Sequence, residues 1–347
     1  MKKISMICLF FVVIIGITYF FENVDRTERL AFNLSHRATS KQMELSTKIS
    51  PKYVDKNEQR NSISKWMDRS SESLTDVYGE PNQVASTPYG YDWWIYTDKH
   101  AFIQFGIKNN RIVTVYGTGI KAKFDPFLIG TTYQEMDKRY TFTENVSFQA
   151  YHFNLTKKDV QQRPLVRLSE DVFAQLYFDA FQGKLSSFRL VTKEILLTHQ
   201  PYHLNYWGKL PKKERLSEGQ WKQIALGVER QIFYITNIIR QRFGKPELSW
   251  NEQVKQVALS HSKDMANNQY FSHYSPSGGG LEDRLNHGKI AYELAGENIA
   301  AQYVDGPAVL AGWLNSKSHR RALLNENYTE LGVGVYHKHY TQNFLKP

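Results

Sequence analysis

The chain has 347 residues, of which 41% are hydrophobic and 14% aromatic, and its formal net charge is +10. This length exceeds that of a usual compact domain and predicts two domains with connecting segments. The aromatic content argues against a largely disordered protein. The positive charge indicates an anionic neighbour. Because the sequence has no zinc knuckle, RNP-like motif or long Lys/Arg block, we expect no nucleic-acid partner.

An uncharged apolar run occupies residues 4–21, directly after Lys2 and Lys3. As a helix it would be about 27 Å long, close to the thickness of a bilayer. No Ala-x-Ala-like site follows it, which favours an uncleaved single-pass anchor in residues 1–21 over a cleaved signal peptide and secretion. With both lysines on the cytoplasmic side, we expect the rest of the chain to lie outside the cell. The cell membrane is then the predicted partner of residues 4–21.

The chain has one cysteine, Cys8, which lies inside this apolar run. The predicted extracellular part therefore forms no internal disulfide and has no thiol for catalysis. Its fold must be held together by core packing.

Polar residues with scattered apolar ones make residues 22–70 a predicted stalk. A β-rich α+β domain is predicted for residues 71–200. Aromatic and β-branched residues mark its strands, namely Asp92–Thr97, Ala101–Ile107, Arg111–Tyr116, Phe173–Phe181 and Leu185–Val191. The last four of these strands are predicted to form two hairpins, residues 101–116 and 173–191. Each hairpin follows a short segment with helix potential, Leu74–Tyr78 or Thr132–Asp137, so an internal duplication is one interpretation.

Residues 201–217 contain two prolines and four basic residues and are predicted to be a basic linker. A second domain is predicted for residues 218–347. It begins with apolar residues at three- and four-residue steps from Trp221 to Phe243, which indicate one long amphipathic helix. Ser249 and Glu252 have capping-box spacing and predict the start of a second helix.

Four motifs follow in order along the second domain. They are Phe271-Ser-His273, Gly296-Glu297-Asn298, Ser318-His319-Arg320 and Gly332-Val-Gly334. Their order resembles that of a bacterial CAP domain (cysteine-rich secretory protein, antigen 5 and pathogenesis-related 1). The region before it resembles the CAP-associated N-terminal domain. The implied fold is α+β: a C-terminal α-β-α sandwich, preceded by the β-rich domain and an N-terminal transmembrane helix.

The resemblance implies a cleft lined by His273, Glu297 and His319, with a divalent metal such as zinc as the expected cofactor. The family's fourth position, an acidic residue, falls here on Ser316. Arg320 joins these as a cleft residue that either orients a carboxylate or forms a surface pair. A buried polar His273–Glu297 pair without metal is the structural alternative. The histidines at 261 and 287 match no family position and are expected on the surface or in the core.

The function expected from these features is ligand binding, with or without a divalent metal, in the His/Glu cleft of an envelope protein. A lipid, a cell-wall polymer and a protein are the candidate ligands. The sequence has no nucleophile elbow, no Ser-His-Asp order and no His-Glu-x-x-His helix. A metal-dependent hydrolase of envelope peptide, lipid or wall material, with Glu297 as general base, is the alternative. A structural adaptor that uses the first domain is a third possibility.

Overall fold

The computed structural model describes residues 62–120 and 124–347. The predicted anchor in residues 1–21 and the predicted stalk up to residue 61 lie outside the described residues. Among the residues described, no helix is both long and apolar enough to cross a bilayer.

The chain alternates short helices and strands, with one long helix near its middle. The α-helices are α1 Ser71–Tyr78, α2 Tyr133–Tyr140, α3 Lys157–Gln162, α4 Lys193–His199, α5 Glu218–Arg242, α6 Glu252–Asn267, α7 Leu281–His287, α8 Gly306–Leu314 and α9 Lys317–Leu323. The strands are β1 Gln83–Ser86, β2 Asp92–Thr97, β3 Phe102–Lys108, β4 Arg111–Thr118, β5 Asn145–Phe148, β6 Tyr151–Asn154, β7 Leu165–Arg167, β8 Val172–Asp179, β9 Lys184–Thr192, β10 His203–Tyr206, β11 Ser249–Trp250, β12 Leu294–Ala301, β13 Glu330–Tyr336 and β14 His339–Lys346.

The first domain is built on an antiparallel sheet of seven strands in the order β1-β2-β3-β4-β9-β8-β7. Its two predicted hairpins, β3–β4 and β8–β9, meet at the central β4–β9 pair. Each has a register shift just before its turn. The residue that caps α1, Ser70, bridges to Arg111 at the start of β4, and the cap of α2, Thr132, bridges to Lys184 at the start of β9. The two helix-and-hairpin units therefore share one local design.

Two segments differ from their predicted roles as stalk and linker. Residues 63–66 form a 3-10 helix, and the side chains of Ile63 and Trp66 are fully buried in the first domain. Residues 203–206 form β10, which pairs with β6 and completes a small sheet in the order β10-β6-β5. The apolar residues of these two polar segments are isolated and have no helical or strand period, so the sequence predicts neither the buried 3-10 helix nor β10.

The second domain places a four-stranded sheet, in the order β11-β13-β14-β12, against helices. The predicted long helix is confirmed as α5, whose buried apolar positions follow its three- and four-residue steps. The second helix begins two residues later than predicted. Asn251 caps α6 by accepting a hydrogen bond from the Val254 amide, while Ser249 lies in β11. The backbone of Ser249 pairs with β13, so its side chain is not placed to cap α6.

The Gly332-Val-Gly334 motif allows β13 to lie directly against α6. A Cβ atom at Gly332 would lie 2.2 Å from the Lys255 amide nitrogen, and one at Gly334 would lie 1.9 Å from that of Leu259. Any side chain at either position would therefore push the helix off the sheet.

The two domains share one hydrophobic core and a buried ion pair. Side chains of the first sheet, such as Trp93, belong to the same buried cluster as Ile232 of α5 and Val309 of α8. Within this interface, Nη2 of Arg189 on β9 donates hydrogen bonds of 2.7 and 2.6 Å to the two carboxylate oxygens of Asp305. The exposed fractions of these side chains are 0% and 7%. A pair buried this deeply resists separation because either charge alone would be uncompensated.

Replacing Arg189 with Met should therefore lower the free energy of unfolding by about 3–5 kcal/mol, since Asp305 would remain buried and unpaired. Urea denaturation of the full-length chain measures this change. Lys108→Met is the control, because its salt bridge to Glu194 is partly exposed and such pairs contribute less than about 1 kcal/mol. Equal losses in the two variants would contradict a structural role for the interdomain pair.

Candidate functional site: a histidine and carboxylate cleft

Three separate elements of the second domain supply the predicted cleft residues. His273 lies in the loop after α6, Glu297 lies on β12, and His319 lies in the first turns of α9. The neighbour of Glu297, Asn298, points to the other face of the strand, where its amide donates a hydrogen bond of 3.2 Å to the His319 carbonyl. The strand β12 thus presents Glu297 on one face, and on its other face Asn298 holds the backbone of α9.

Glu297 is the buried centre of the site, with only 3% of its side chain exposed. Its Oε1 accepts a hydrogen bond of 2.8 Å from Nδ1 of His273, and its Oε2 accepts one of 2.7 Å from Nη2 of Arg284. Burial alone would raise the pKa of Glu297, but the His273 hydrogen bond and the Arg284 charge hold it below its ordinary value. Glu297 is therefore an ionised carboxylate with a partner on each oxygen.

Arg284, on α7, is a site residue that the sequence analysis does not single out. Besides Glu297, its guanidinium donates a hydrogen bond of 3.0 Å to the backbone carbonyl of His273. It therefore fixes the carboxylate and the loop that carries the imidazole. The sequence offers no local signal for this role, because Arg284 lies 13 residues before Glu297 on a different element.

His261 also supports the loop, although the sequence analysis assigns it no role. Its side chain is fully buried, its Nε2 donates to the Ser272 carbonyl at 3.1 Å, and the same nitrogen lies 3.9 Å from Glu297 Oε1. Burial lowers the pKa of His261. His261 and Arg284 thus hold the backbone carbonyls of Ser272 and His273. The backbone from which the His273 side chain extends is therefore fixed.

His319, the third predicted cleft residue, lies within electrostatic range of His273. Burial, with a smaller contribution from the charge of His273, lowers the pKa of His319 to about 4. At neutral pH this imidazole is therefore uncharged. Ser316, at the family's acidic position, precedes α9 and makes no capping bond; its hydroxyl lies 3.5 Å from that of Ser318.

Arg320 differs from its predicted place in the cleft. Its two terminal nitrogens donate hydrogen bonds of 3.0 Å to the two oxygens of Asp179, which is almost fully buried in the first domain. The guanidinium also lies over the rings of Phe181 and Phe243. Arg320 therefore orients a carboxylate, but that carboxylate belongs to the domain interface. A sequence alone does not reveal this partner, because the contact exists only after the domains dock.

A bound zinc ion needs several donor side chains that converge on one point. In the described part of the chain, no three His, Cys, Asp or Glu side chains converge in an arrangement that could hold a metal ion. Both oxygens of Glu297 are engaged by His273 and Arg284, so the carboxylate is not placed as a ligand. The carboxylate instead orients the imidazole of His273, a role that carboxylates also have toward ligating histidines in many metal sites.

These features together define a two-domain protein whose second domain is an α-β-α sandwich with a His/Glu cleft. The model of the cysteine-rich secretory protein family matches residues 233–345, and that of the CAP-associated N-terminal domain matches residues 67–202. The chain belongs to the CAP family. The family resemblance predicted from the four motifs is confirmed.

Relatives share both domains of the chain. The uncharacterized membrane protein YlbC of Bacillus subtilis (strain 168) is 42% identical over 286 residues, which cover 81% of this chain and 82% of that protein. The crystal structure of an extracellular protein with an SCP domain from Bacillus anthracis strain Ames has a TM-score of 0.79 and 43% identity, and the match covers 86% of this chain and 99% of that one. A cysteine-rich secretory protein from Staphylococcus aureus Mu50 has a TM-score of 0.73 and 26% identity, with coverages of 82% and 95%.

The stability of the fold should depend on pH through His319. Its pKa in the folded chain, about 4, lies below the ordinary value of 6.5, so the folded state binds fewer protons than the unfolded chain between these values. This contribution to stability is full above about pH 6.5 and is lost as the pH falls towards 4. His319→Gln removes the titration, so urea denaturation across this range should show a shallower loss in the variant.

The exposed His287 gives the matched control, because His287→Gln should keep the wild-type slope. A slope that is unchanged in His319→Gln would contradict a buried, neutral imidazole at this position.

Proposed function

We propose that the chain is an envelope protein held at the membrane by residues 4–21, with a stalk, the first domain and the CAP domain outside the cell. The name of YlbC as a membrane protein and that of the Bacillus anthracis relative as extracellular support this placement. In the proposal the CAP domain acts by binding a ligand in the His273/His319 cleft.

The contact between His273 and Glu297 carries this proposal. The Nδ1–H···Oε1 bond of 2.8 Å fixes the orientation of the His273 ring. The ring is partly exposed, with 26% of its side chain accessible, while Glu297 beneath it is buried. A fixed, partly exposed imidazole in the same cleft as the uncharged imidazole of His319 is suited to binding a ligand.

Zinc is the expected cation for such a pair, because neutral imidazole nitrogen is one of its preferred ligands. His273 and His319 would hold it, and Glu297 and Arg284 would keep His273 in place. When bound, the ion would supply a Lewis-acidic centre to which an oxygen or nitrogen atom of an envelope ligand could attach.

A hydrolase in which Glu297 is the general base receives no support from this geometry. A base must accept a proton from the attacking water, but both carboxylate oxygens already accept hydrogen bonds from His273 and Arg284. The charge of Arg284 also contributes to holding the pKa of Glu297 below its ordinary value, and this weakens it as a proton acceptor. Binding is therefore the function that we propose.

Zinc titration of the purified full-length chain by calorimetry tests the cleft. We expect zinc binding in the wild type and its loss in His273→Ala and in His319→Ala. Glu297→Gln should retain binding at roughly 10–100-fold lower affinity, because it removes only the orienting partner. His287→Ala, which replaces an exposed histidine on α7, should bind as the wild type does.

Zinc affinity that is the same in both histidine variants and the wild type would overturn the cleft as a metal site. Complete loss of binding in Glu297→Gln, with its fold intact, would instead indicate that the carboxylate is a direct ligand.

Fractionation of cells that express the full-length chain tests the placement. The chain should sediment with membranes and be cleaved by protease added to intact cells that have been stripped of wall. Deletion of residues 4–21 should abolish both results, because the apolar run is the proposed anchor. Recovery from the culture medium of a chain shortened at its N-terminus would indicate the alternative of signal cleavage and secretion.

A further inference from the structure

The small sheet β10-β6-β5 of the first domain carries an exposed tryptophan that makes no contribution to the core. The side chain of Trp207, which directly follows β10, is 75% exposed. Its backbone is nevertheless fixed: its amide donates to the Ala150 carbonyl at 3.0 Å, and the Tyr151 hydroxyl donates to the Lys209 carbonyl at 2.7 Å. An indole held in water on a fixed backbone is a common feature of binding surfaces.

The outward face of the same sheet is polar, and its two central rows contain no Lys, Arg, Asp or Glu residue. The strand register aligns Asn145, Asn154 and His203 in one row and Ser147, His152 and Asn205 in the next. Residues paired across strands point to the same face, and side-chain contacts agree: Ser147 bonds His152 at 2.9 Å, and His152 lies edge-on to the ring of Trp207. The opposite face carries Phe153, which is buried in the core.

This composition selects between chemical classes of partner. Amide and hydroxyl groups each offer a donor and an acceptor, as sugar hydroxyls do, and the imidazoles of His152 and His203 add further hydrogen-bonding groups. An indole face packs against the C–H face of a sugar ring. The three strands give a surface about 10 Å wide, which can accommodate more than one sugar ring. The face carries no aliphatic side chain that could enter a bilayer, so a lipid surface fits it less well.

A basic segment continues directly from the tryptophan. Lys209, Lys212, Lys213 and Arg215 are all exposed, and Glu214 is the one acidic residue among residues 209–215. Positive charge in this segment, which follows Trp207 in the chain, would attract a glycan that carries anionic substituents and would act over about a Debye length.

We propose that Trp207 and the polar face of the small sheet form a binding site for a wall glycan, with the basic segment adding affinity for its anionic forms. This glycan surface is distinct from the His/Glu cleft. The choice of a wall glycan rests on the proposed placement outside the membrane, whereas the surface itself rests on the geometry of the first domain.

Sedimentation with purified peptidoglycan sacculi tests the proposal, using the full-length chain in nonionic detergent. The sacculi are used before and after acid removal of their phosphate-rich polymers. Trp207→Ala should bind both preparations about tenfold more weakly, as expected on truncation of an aromatic anchor. The double variant Lys212→Gln and Lys213→Gln should bind more weakly to the untreated sacculi and normally to the treated ones.

Phe181→Ala is the control, because Phe181 is an exposed aromatic residue in the β8–β9 turn, away from the small sheet. It should bind as the wild type does, and a thermal unfolding curve verifies that each variant is folded. Wild-type affinity in Trp207→Ala, or loss of all binding once the phosphate-rich polymers are removed, would overturn the glycan surface.

His273→Ala and His319→Ala separate this inference from the proposed function. If both variants bind sacculi normally and Trp207→Ala does not, the glycan surface is independent of the cleft. If the histidine variants lose binding and Trp207→Ala keeps it, the wall is a ligand of the cleft, and the glycan surface is rejected.

Discussion

The buried pair between Arg189 and Asp305 is the contact on which the relation of the two domains depends. Asp305 accepts two hydrogen bonds from Arg189 and also caps α8 by accepting one from the Ala308 amide. The charge at the start of α8 is thus compensated from the other domain. The indole of Trp313, further along α8, donates to the Ile299 carbonyl of β12, two residues after Glu297. Docking of the first domain is therefore linked through α8 to β12, the strand that carries Glu297.

Within the cleft, the cost of burying the Glu297 carboxylate determines what its neighbours must be. A buried carboxylate needs a charged or hydrogen-bonding partner for each oxygen, and Arg284 and His273 supply them. This requirement explains why an arginine lies inside a cleft in which the sequence suggests a cation site. It also leaves His273 with a fixed orientation. In the proposed function, the contacts that compensate the buried carboxylate are also those that orient the imidazole for binding.

The sequence predicts local features well and contacts between distant elements poorly. The apolar periodicity of α5 and the alternation within the first-domain hairpins are properties of single segments, and both were predicted. The order of motifs identified His273, Glu297 and His319 through the family. By contrast, Arg284 and the Asp179 partner of Arg320 depend on how helices and domains pack, which leaves no mark in local spacing. The sequence does not predict the burial of Trp66 either, because an isolated apolar residue in a polar segment has no period.

The position of Ser316 changes the electrostatics that a ligand would meet. The acidic residue that the family resemblance implies at this position would have added a second negative charge, whereas the charge of Glu297 is compensated by Arg284. The low pKa of His319 keeps its imidazole uncharged at neutral pH, which leaves its lone pair available because protonation and metal binding compete for the same atom. A cleft with two imidazole donors and no uncompensated carboxylate would hold a cation less tightly than a site with a full set of acidic ligands. Such a site suits reversible binding, in which the ion and an envelope ligand would each strengthen the attachment of the other.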